Sequence, residues 1–118
     1  MLKLSHKKLT VWEYSIDLVT EIYKLTGSYP AIERYGLISQ MRRASVSIVS
    51  NLSEGASRKS KTEKSRFYEI ARSSLVELDA QIEVSIQLGY IQNPNFRVLS
   101  DKMNSTFSLL TGLINSCN

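Results

Sequence analysis

Apolar residues recur along the chain at three- and four-residue steps in four separate stretches, the spacing of amphipathic helices, and show no strand-like alternation of useful length. The first stretch carries Trp12, Ile16, Val19, Tyr23 and Thr26, with Val11, Leu18, Ile22 and Leu25 widening its apolar side. Thr10 with Glu13 reads as a capping box that opens this helix, since hydroxyl and carboxylate can each satisfy one orphaned amide. Gly27-Ser28-Tyr29-Pro30 stops it: glycine supplies a C-terminal cap, and Pro30 disfavours helical geometry at Tyr29. The second stretch runs from about Ile32 to Glu54, with Leu37, Met41, Ala44, Ile48 and Leu52 on one side and Gly55 ending it. Ser60-Lys61-Thr62-Glu63 offers a second capping box, followed by the stripe Phe67, Ala71, Leu75, Leu78, Ile82 and Ile86 and a C-cap at Leu88-Gly89-Tyr90. Asn93-Pro94 reads as an N-cap with proline at the first helical position, ahead of Phe96, Leu99, Met103, Phe107, Leu110 and Ile114.

These segments, at about 11–26, 32–54, 62–88 and 94–115, are joined by short loops without repeat or internal boundary. They predict one domain over 1–118: an all-α, antiparallel up-down-up-down four-helix bundle. A chain of 118 residues can bury one core without staples. The fourth helix carries only Arg97, Asp101 and Lys102, and Phe107 to Asn118 hold no charge. A helix so poor in charge is expected to bury two faces, either at the centre of the monomer or in a subunit contact.

Composition narrows the chemistry. The lone cysteine, Cys117, and the lone histidine, His6, provide neither a disulfide framework nor a metal site, so no metal and no cofactor are expected. Glu13 and Asp17 interrupt the N-terminal apolar stretch before signal-peptide length, and no run approaches the roughly 20 apolar residues of a membrane span. A cytoplasmic protein without membrane contact is the expectation. The net charge is +4, and much of the excess lies in Arg58, Lys59, Lys61, Lys64 and Arg66. A loop of this kind is either a solvated connection or the footprint of a phosphate-binding surface.

At about 100° per residue, Gln40, Arg43, Ser47, Asn51 and Glu54 fall within roughly 80° of one another beside the apolar stripe of helix two. Small hydroxyls and amides suit hydrogen bonding between closely approaching helices better than a plain solvated surface. One reading is a buried or interfacial network in which Arg43 pairs with Glu54 on this or another chain, giving register more than stability. On the other, Arg42 and Arg43 contact phosphate together with Arg58, Lys59, Lys61, Lys64, Arg66 and Arg72. Arg42 and Arg43 point about 100° apart, so one site does not use both, and Arg42 is the better candidate for an exposed contact.

The order and spacing of Tyr35-Gly36-Leu37, Gln40, Arg42-Arg43-Ala44, Val46-Ser47-Ile48, Asn51, Glu54-Gly55 and Arg58 resemble the signature of bacterial four-helix-bundle proteins encoded in intervening sequences of 23S ribosomal RNA genes. Trp12, Tyr29-Pro30, Phe67 with Ala71, Ser74-Leu75, Glu77-Leu78, Gln81 and Leu88-Gly89-Tyr90 extend the likeness over roughly residues 9 to 114. The resemblance implies a bundle that assembles into a homopentameric, barrel-like ring. It also implies a more distant relation to the accessory subunits of diversity-generating retroelements, which bind a reverse transcriptase and nucleic acid. Val49 stands where relatives often carry proline, which implies a straighter second helix. Five copies at +4 would carry +20 and repeat the Arg58 to Arg66 loop around the ring, adding modest phosphate contacts through multivalency.

No catalytic set is apparent, and the chain reads as a non-enzyme. A carboxylate-bridged di-metal bundle needs Glu-x-x-His motifs, helical ribonucleases of the HEPN type need an Arg with a nearby His, and a Ser–His–acid set would have to use His6 from a frayed terminus. Glu54, Glu69, Glu77 and Glu83 fit solvated or paired helix-surface carboxylates. Tyr29, Tyr35, Tyr68 and Tyr90 could stack on unpaired bases if exposed, and Tyr68 is the one near the basic loop in sequence; core or interface roles also fit their spacing. Two functions remain: an oligomeric accessory protein that binds RNA or DNA, and a structural scaffold that binds a protein partner, its basic loops merely solubilising.

Overall fold

The computed structural model describes residues 1–92 and 96–118, and within them the chain is an all-α four-helix bundle. A 3-10 turn at Ser5–Lys8 precedes α1 (Thr10–Thr26); a second at Ala31–Glu33 precedes α2 (Leu37–Ser57); α3 spans Lys61–Gln87 and α4 Phe96–Ser116. Each helix packs mainly on its chain neighbours, α2 against α3 most extensively, and α4 returns to α1. The order is therefore that of an up-down-up-down bundle, with α1 beginning, α2 ending, α3 beginning and α4 ending at the same end. The expected Asn93-Pro94 start of the fourth helix lies outside the described residues.

The core is a continuous column in which Leu18, Ile22, Met41, Ile48, Leu52, Leu78 and Leu110 are fully buried. Each large aliphatic side chain so removed from water contributes roughly 1.5–3 kcal/mol before conformational entropy is charged against it. Between them sit five fully buried hydroxyls, Ser15, Thr26, Ser45, Ser85 and Thr106. Each donates to a carbonyl three or four residues back in its own helix, so small polar side chains enter the core without an orphaned donor.

Several local expectations change. The N-cap of α1 is Leu9, with no side-chain bond, so Thr10 does not cap and no capping box forms there. Gly27 caps the C-terminus in a right-handed conformation (φ −62°). Helix two begins at Leu37 rather than Ile32, because Ala31–Glu33 forms a separate 3-10 turn and the chain bends at Gly36 before the α-helix starts. The Glu33 carboxylate then supplies the cap, accepting the Leu37 N–H at 3.2 Å. At the other end, Gly55 does not terminate α2. It is buried inside the helix, where a Cβ would come within 2.7 Å of the Tyr68 ring, so glycine permits the close approach of α3. The Ser60 cap does form, accepting the Glu63 N–H at 3.1 Å, while the Glu63 carboxylate turns to Arg66 instead of back to the cap. Gly89, at φ +80°, closes α3 as expected: its N–H bonds to Ile86 O and the Tyr90 N–H to Ser85 O, a Schellman turn.

The face of α1 is rotated from its expected position. Its buried positions are Val11, Ser15, Leu18, Ile22 and Thr26, about 90° around the helix from the Trp12, Ile16, Val19 and Tyr23 line. Ile16 and Tyr23 are consequently exposed. Among the described residues α4 packs chiefly on α1 and α3, so its scarcity of charge does not reflect a central position; Phe107 and Leu109 remain exposed.

Candidate nucleic-acid interface

The α2–α3 loop presents Arg58 and Lys59 to solvent, and the first residue of α3 adds Lys61. Topology adds what spacing along the chain does not: the N-terminal Lys3, Lys7 and Lys8 precede α1 at this same end of the bundle. Eight of the fifteen Lys and Arg thus belong to the segments 3–8 and 58–66. The signal that could have found the first three was the antiparallel topology itself, which brings the start of α1 beside the α2–α3 connection. The N-terminus of the 27-residue α3 opens there too, adding the positive end of its dipole.

The eight cations differ in what they are free to do. The Arg58 guanidinium bonds the Glu54 carboxylate at 3.1 Å and lies 4.8 Å from the Phe67 ring centroid. Arg66 pairs with Glu63 at 3.2 Å and lies 5.2 Å from the same ring. Two guanidinium planes are therefore held at one aromatic side chain, with solvent on their other sides. The Lys64 ammonium donates to Ala56 O at 2.9 Å and so closes the end of α2, and Lys7 donates to Leu2 O. Lys3, Lys8, Lys59 and Lys61 are exposed and make no side-chain bond or ion pair among the described residues.

Other candidates lie elsewhere. Arg42 is not an exposed contact: it bonds Thr26 Oγ1 at 2.9 Å and Tyr23 O at 3.2 Å and stacks at 4.4 Å over the Tyr23 ring, capping α1. Arg72 reaches across to α4, donating to Thr111 Oγ1 at 3.1 Å beside Phe107. Arg42 is thus held at the opposite end of the bundle, and Arg72 is tied to α4 partway along α3. The helix-two seam divides into three. Ser47 bonds Ser74 across to α3 at 2.8 Å with Asn51 bound to Ser47 behind it, and Glu54 takes Arg58. Gln40 and Arg43 border an open groove with Glu77 and Gln81. The intrachain pairing of Arg43 with Glu54 does not occur, because both stand on the one helix α2 with about 16 Å of rise between them, and the Glu54 carboxylate pairs with Arg58 instead.

Tyr68 is buried against Gly55 and cannot stack on a base; Phe67 is the aromatic residue at the basic surface, under Arg58 and Arg66. His6 is not frayed. It packs edge-on against Trp12 at 5.0 Å, with Nε2 buried and unpartnered, and burial followed by the charge of Lys7 lowers its pKa below the ordinary 6.5. A groove of about 340 Å³ between α3 and α4 has Leu75, Ile82, Met103 and Phe107 in its walls, but Asp79 and Glu83 on its rim disfavour phosphate. Among the described residues, no three His, Cys, Asp or Glu side chains converge, and no helix is long and apolar enough to cross a membrane.

Residues 7–112 match the family described as 23S rRNA-intervening sequence protein. No curated protein matches the sequence significantly. Among solved structures, the chain is similar to a protein of unknown function from the S23 ribosomal protein family of Bacteroides thetaiotaomicron. The TM-score is 0.79 at 19% identity, covering 89% of this chain and 95% of that one, a likeness of fold.

Proposed function

This chain belongs to the 23S rRNA-intervening sequence protein family, and from that premise we propose that it is a non-catalytic, homo-oligomeric accessory protein that holds RNA or DNA by the phosphate backbone. The observation that carries the reading is the gathering of Lys3, Lys8, Lys59 and Lys61, exposed and without intrachain partners among the described residues, with Arg58 and Arg66 at one end of the bundle. Lysine ammonium groups that compensate no carboxylate are available to displace counterions from a nucleic acid. The ring-shaped homopentamer implied by the sequence resemblance would set five such ends side by side and turn weak contacts into strong, salt-sensitive binding.

A protein-binding scaffold is the second reading, favoured by Ile32 and Tyr35, which stand 86% and 89% exposed in the α1–α2 connection at the opposite end. Light-scattering mass, with anisotropy titration of single-stranded RNA, duplex RNA and DNA at two salt concentrations, separates the two. The comparison uses an Arg58→Ala, Lys59→Ala, Lys61→Ala variant. A multimer whose binding falls with salt and weakens in the variant supports nucleic-acid binding. A multimer that binds none of the three at low salt overturns it and leaves the scaffold.

A further inference from the structure

We infer that the groove between α3 and α4 is a docking site for a basic amphipathic helix of a partner protein. Such a helix would lay its apolar side on Val76, Met103 and Phe107 and set its lysines or arginines against Asp79 and Glu83. The groove follows the second half of α3 and takes a partner opposite in charge to the one proposed for the basic end.

Shape sets the length of the occupant. The walls run from Leu75 to Glu83 on α3 and from Phe96 to Phe107 on α4, about 12 and 16 Å of helix axis. A docked helix with anchors at i, i+3 or i+4 and i+7 spans about 10 Å between the first and the last, so the groove accommodates one such set. Leu75, Ile82 and Met103 are buried and form the floor, while Val76 and Phe107 stand 54% and 41% exposed at the lips. A solvated helix surface normally places Glu and Lys at such positions. Methionine, unbranched and polarizable, adapts to the side chain laid on it.

Charge selects its chemistry. From Ser73 to Phe96 the chain carries Glu77, Asp79 and Glu83 and no Lys, Arg or His, a stretch of −3 in a protein of net +4. Asp79 and Glu83 stand four residues apart on one side of α3, a placement of like charges that disfavours a helix unless a cation joins them. The ion pairs among the described residues all involve other carboxylates. Arg72, at the Phe107 end, is turned to Thr111 Oγ1, and Arg97 makes no ion pair among the described residues. α3 ends at Gln87, so the negative end of its dipole lies one turn beyond Glu83 and adds to the same field. A basic helix supplies the missing cations, whereas phosphate or an acidic segment is repelled.

Anisotropy titration of the full chain into a fluorescein-labelled peptide of about 15 residues, with leucine at i, i+3 and i+7 and lysine and alanine elsewhere, tests the site. The wild type is expected to bind it, less tightly as salt rises, and not to bind the same peptide with glutamate in place of lysine. Asp79→Lys with Glu83→Lys should weaken binding by roughly tenfold or more, whereas Glu13→Lys with Glu21→Lys on α1, an equal change in net charge, should leave it within about twofold. Asp79 and Glu83 are exposed, and circular dichroism verifies that the variant stays folded. Should the lysine pair unfold the chain, Asp79→Asn with Glu83→Gln takes its place and should weaken binding severalfold. A wild type that binds neither peptide, or both alike, overturns the site. So does a folded groove variant that binds as well as the wild type, or an α1 control that loses as much. If the wild type binds no peptide and the groove variant has a lower light-scattering mass, the groove belongs to a second copy and the proposal falls.

Discussion

The Tyr90 hydroxyl donates to Glu33 Oε2 at 3.0 Å while Oε1 of the same carboxylate accepts the Leu37 N–H, so one side chain ties the segment after α3 to the first turn of α2. The Tyr90 ring also packs 5.1 Å from that of Tyr29. The hydrogen bond to Glu33, then burial, raises the Tyr90 pKa above its ordinary 10.0. Tyr90→Phe keeps the ring contact and removes the donor. It should destabilise the bundle only modestly, although the acceptor is charged, because solvent reaches the site. Urea denaturation reads this directly, and Glu33→Ala should cost more, since α2 then also loses its cap.

Gly55→Ala should destabilise the protein although alanine is the better helix former. The gain in helix propensity is about 1 kcal/mol. The new methyl would sit 2.7 Å from Tyr68 Cε1 and 3.2 Å from Lys64 O, and overpacking of this kind costs about 1–3 kcal/mol. Gly112→Ala, on α4 with nothing within 4 Å of its added carbon, should instead raise the melting temperature. If both substitutions stabilise, the close approach of α2 and α3 at Gly55 is wrong.

These two sites also show what the sequence makes legible. Helix number, order and most core positions follow from apolar spacing, and the Gly89 turn follows from the left-handed geometry only glycine adopts freely. Gly55 and Gly27 are the same residue type, yet one is a packing glycine and the other ends a helix in right-handed geometry; spacing cannot separate these roles. The phase of α1 is misread because Ser15 is fully buried, satisfied by Val11 O, while Ile16 and Tyr23 face outward. A reading that sends apolar residues inward has no term for a helix with a second apolar face. The candidate site was half legible: the Arg58 to Arg66 run is visible in the chain, but Lys3 and Lys8 join it only through topology, and Arg42 and Arg72 are withdrawn by contacts 16 and 39 residues away. Likewise Leu110 is fully buried where its neighbour Leu109 is exposed, a difference that only the packing of α4 sets.

Acid should loosen the N-terminal turn before the bundle. His6 is folded with its pKa below 6.5, so near and below that pH the released segment binds more protons than the packed one. The stability conferred by packing His6 on Trp12 is complete above about pH 6.5 and declines as pH falls toward the lower folded value. Each residue is the lone one of its type in the chain, which makes Trp12 emission a clean probe. Emission should change between neutral and mildly acidic pH while helicity by circular dichroism holds, and His6→Leu should abolish the change. Simultaneous loss of both signals in the wild type would count against a separable turn.

The basic end makes a prediction that chain distance alone would not. If phosphates lie across both the N-terminal segment and the α2–α3 loop, removing cations from either should lower the slope of log affinity against log salt. The expected loss is about 0.7 per contact for single strands and about 0.9 for duplex. Lys59→Ala with Lys61→Ala should therefore reduce the slope by roughly 1.4–1.8, and Lys3→Ala with Lys8→Ala by a comparable amount despite lying some fifty residues earlier. Arg34→Ala with Arg97→Ala changes the net charge equally but acts at the opposite end, where α1 finishes and α4 starts. That variant should leave the slope unchanged. An equal loss from all three pairs would mean that the nucleic acid responds to total charge and not to a surface, and the basic end would then have no claim to be its binding site.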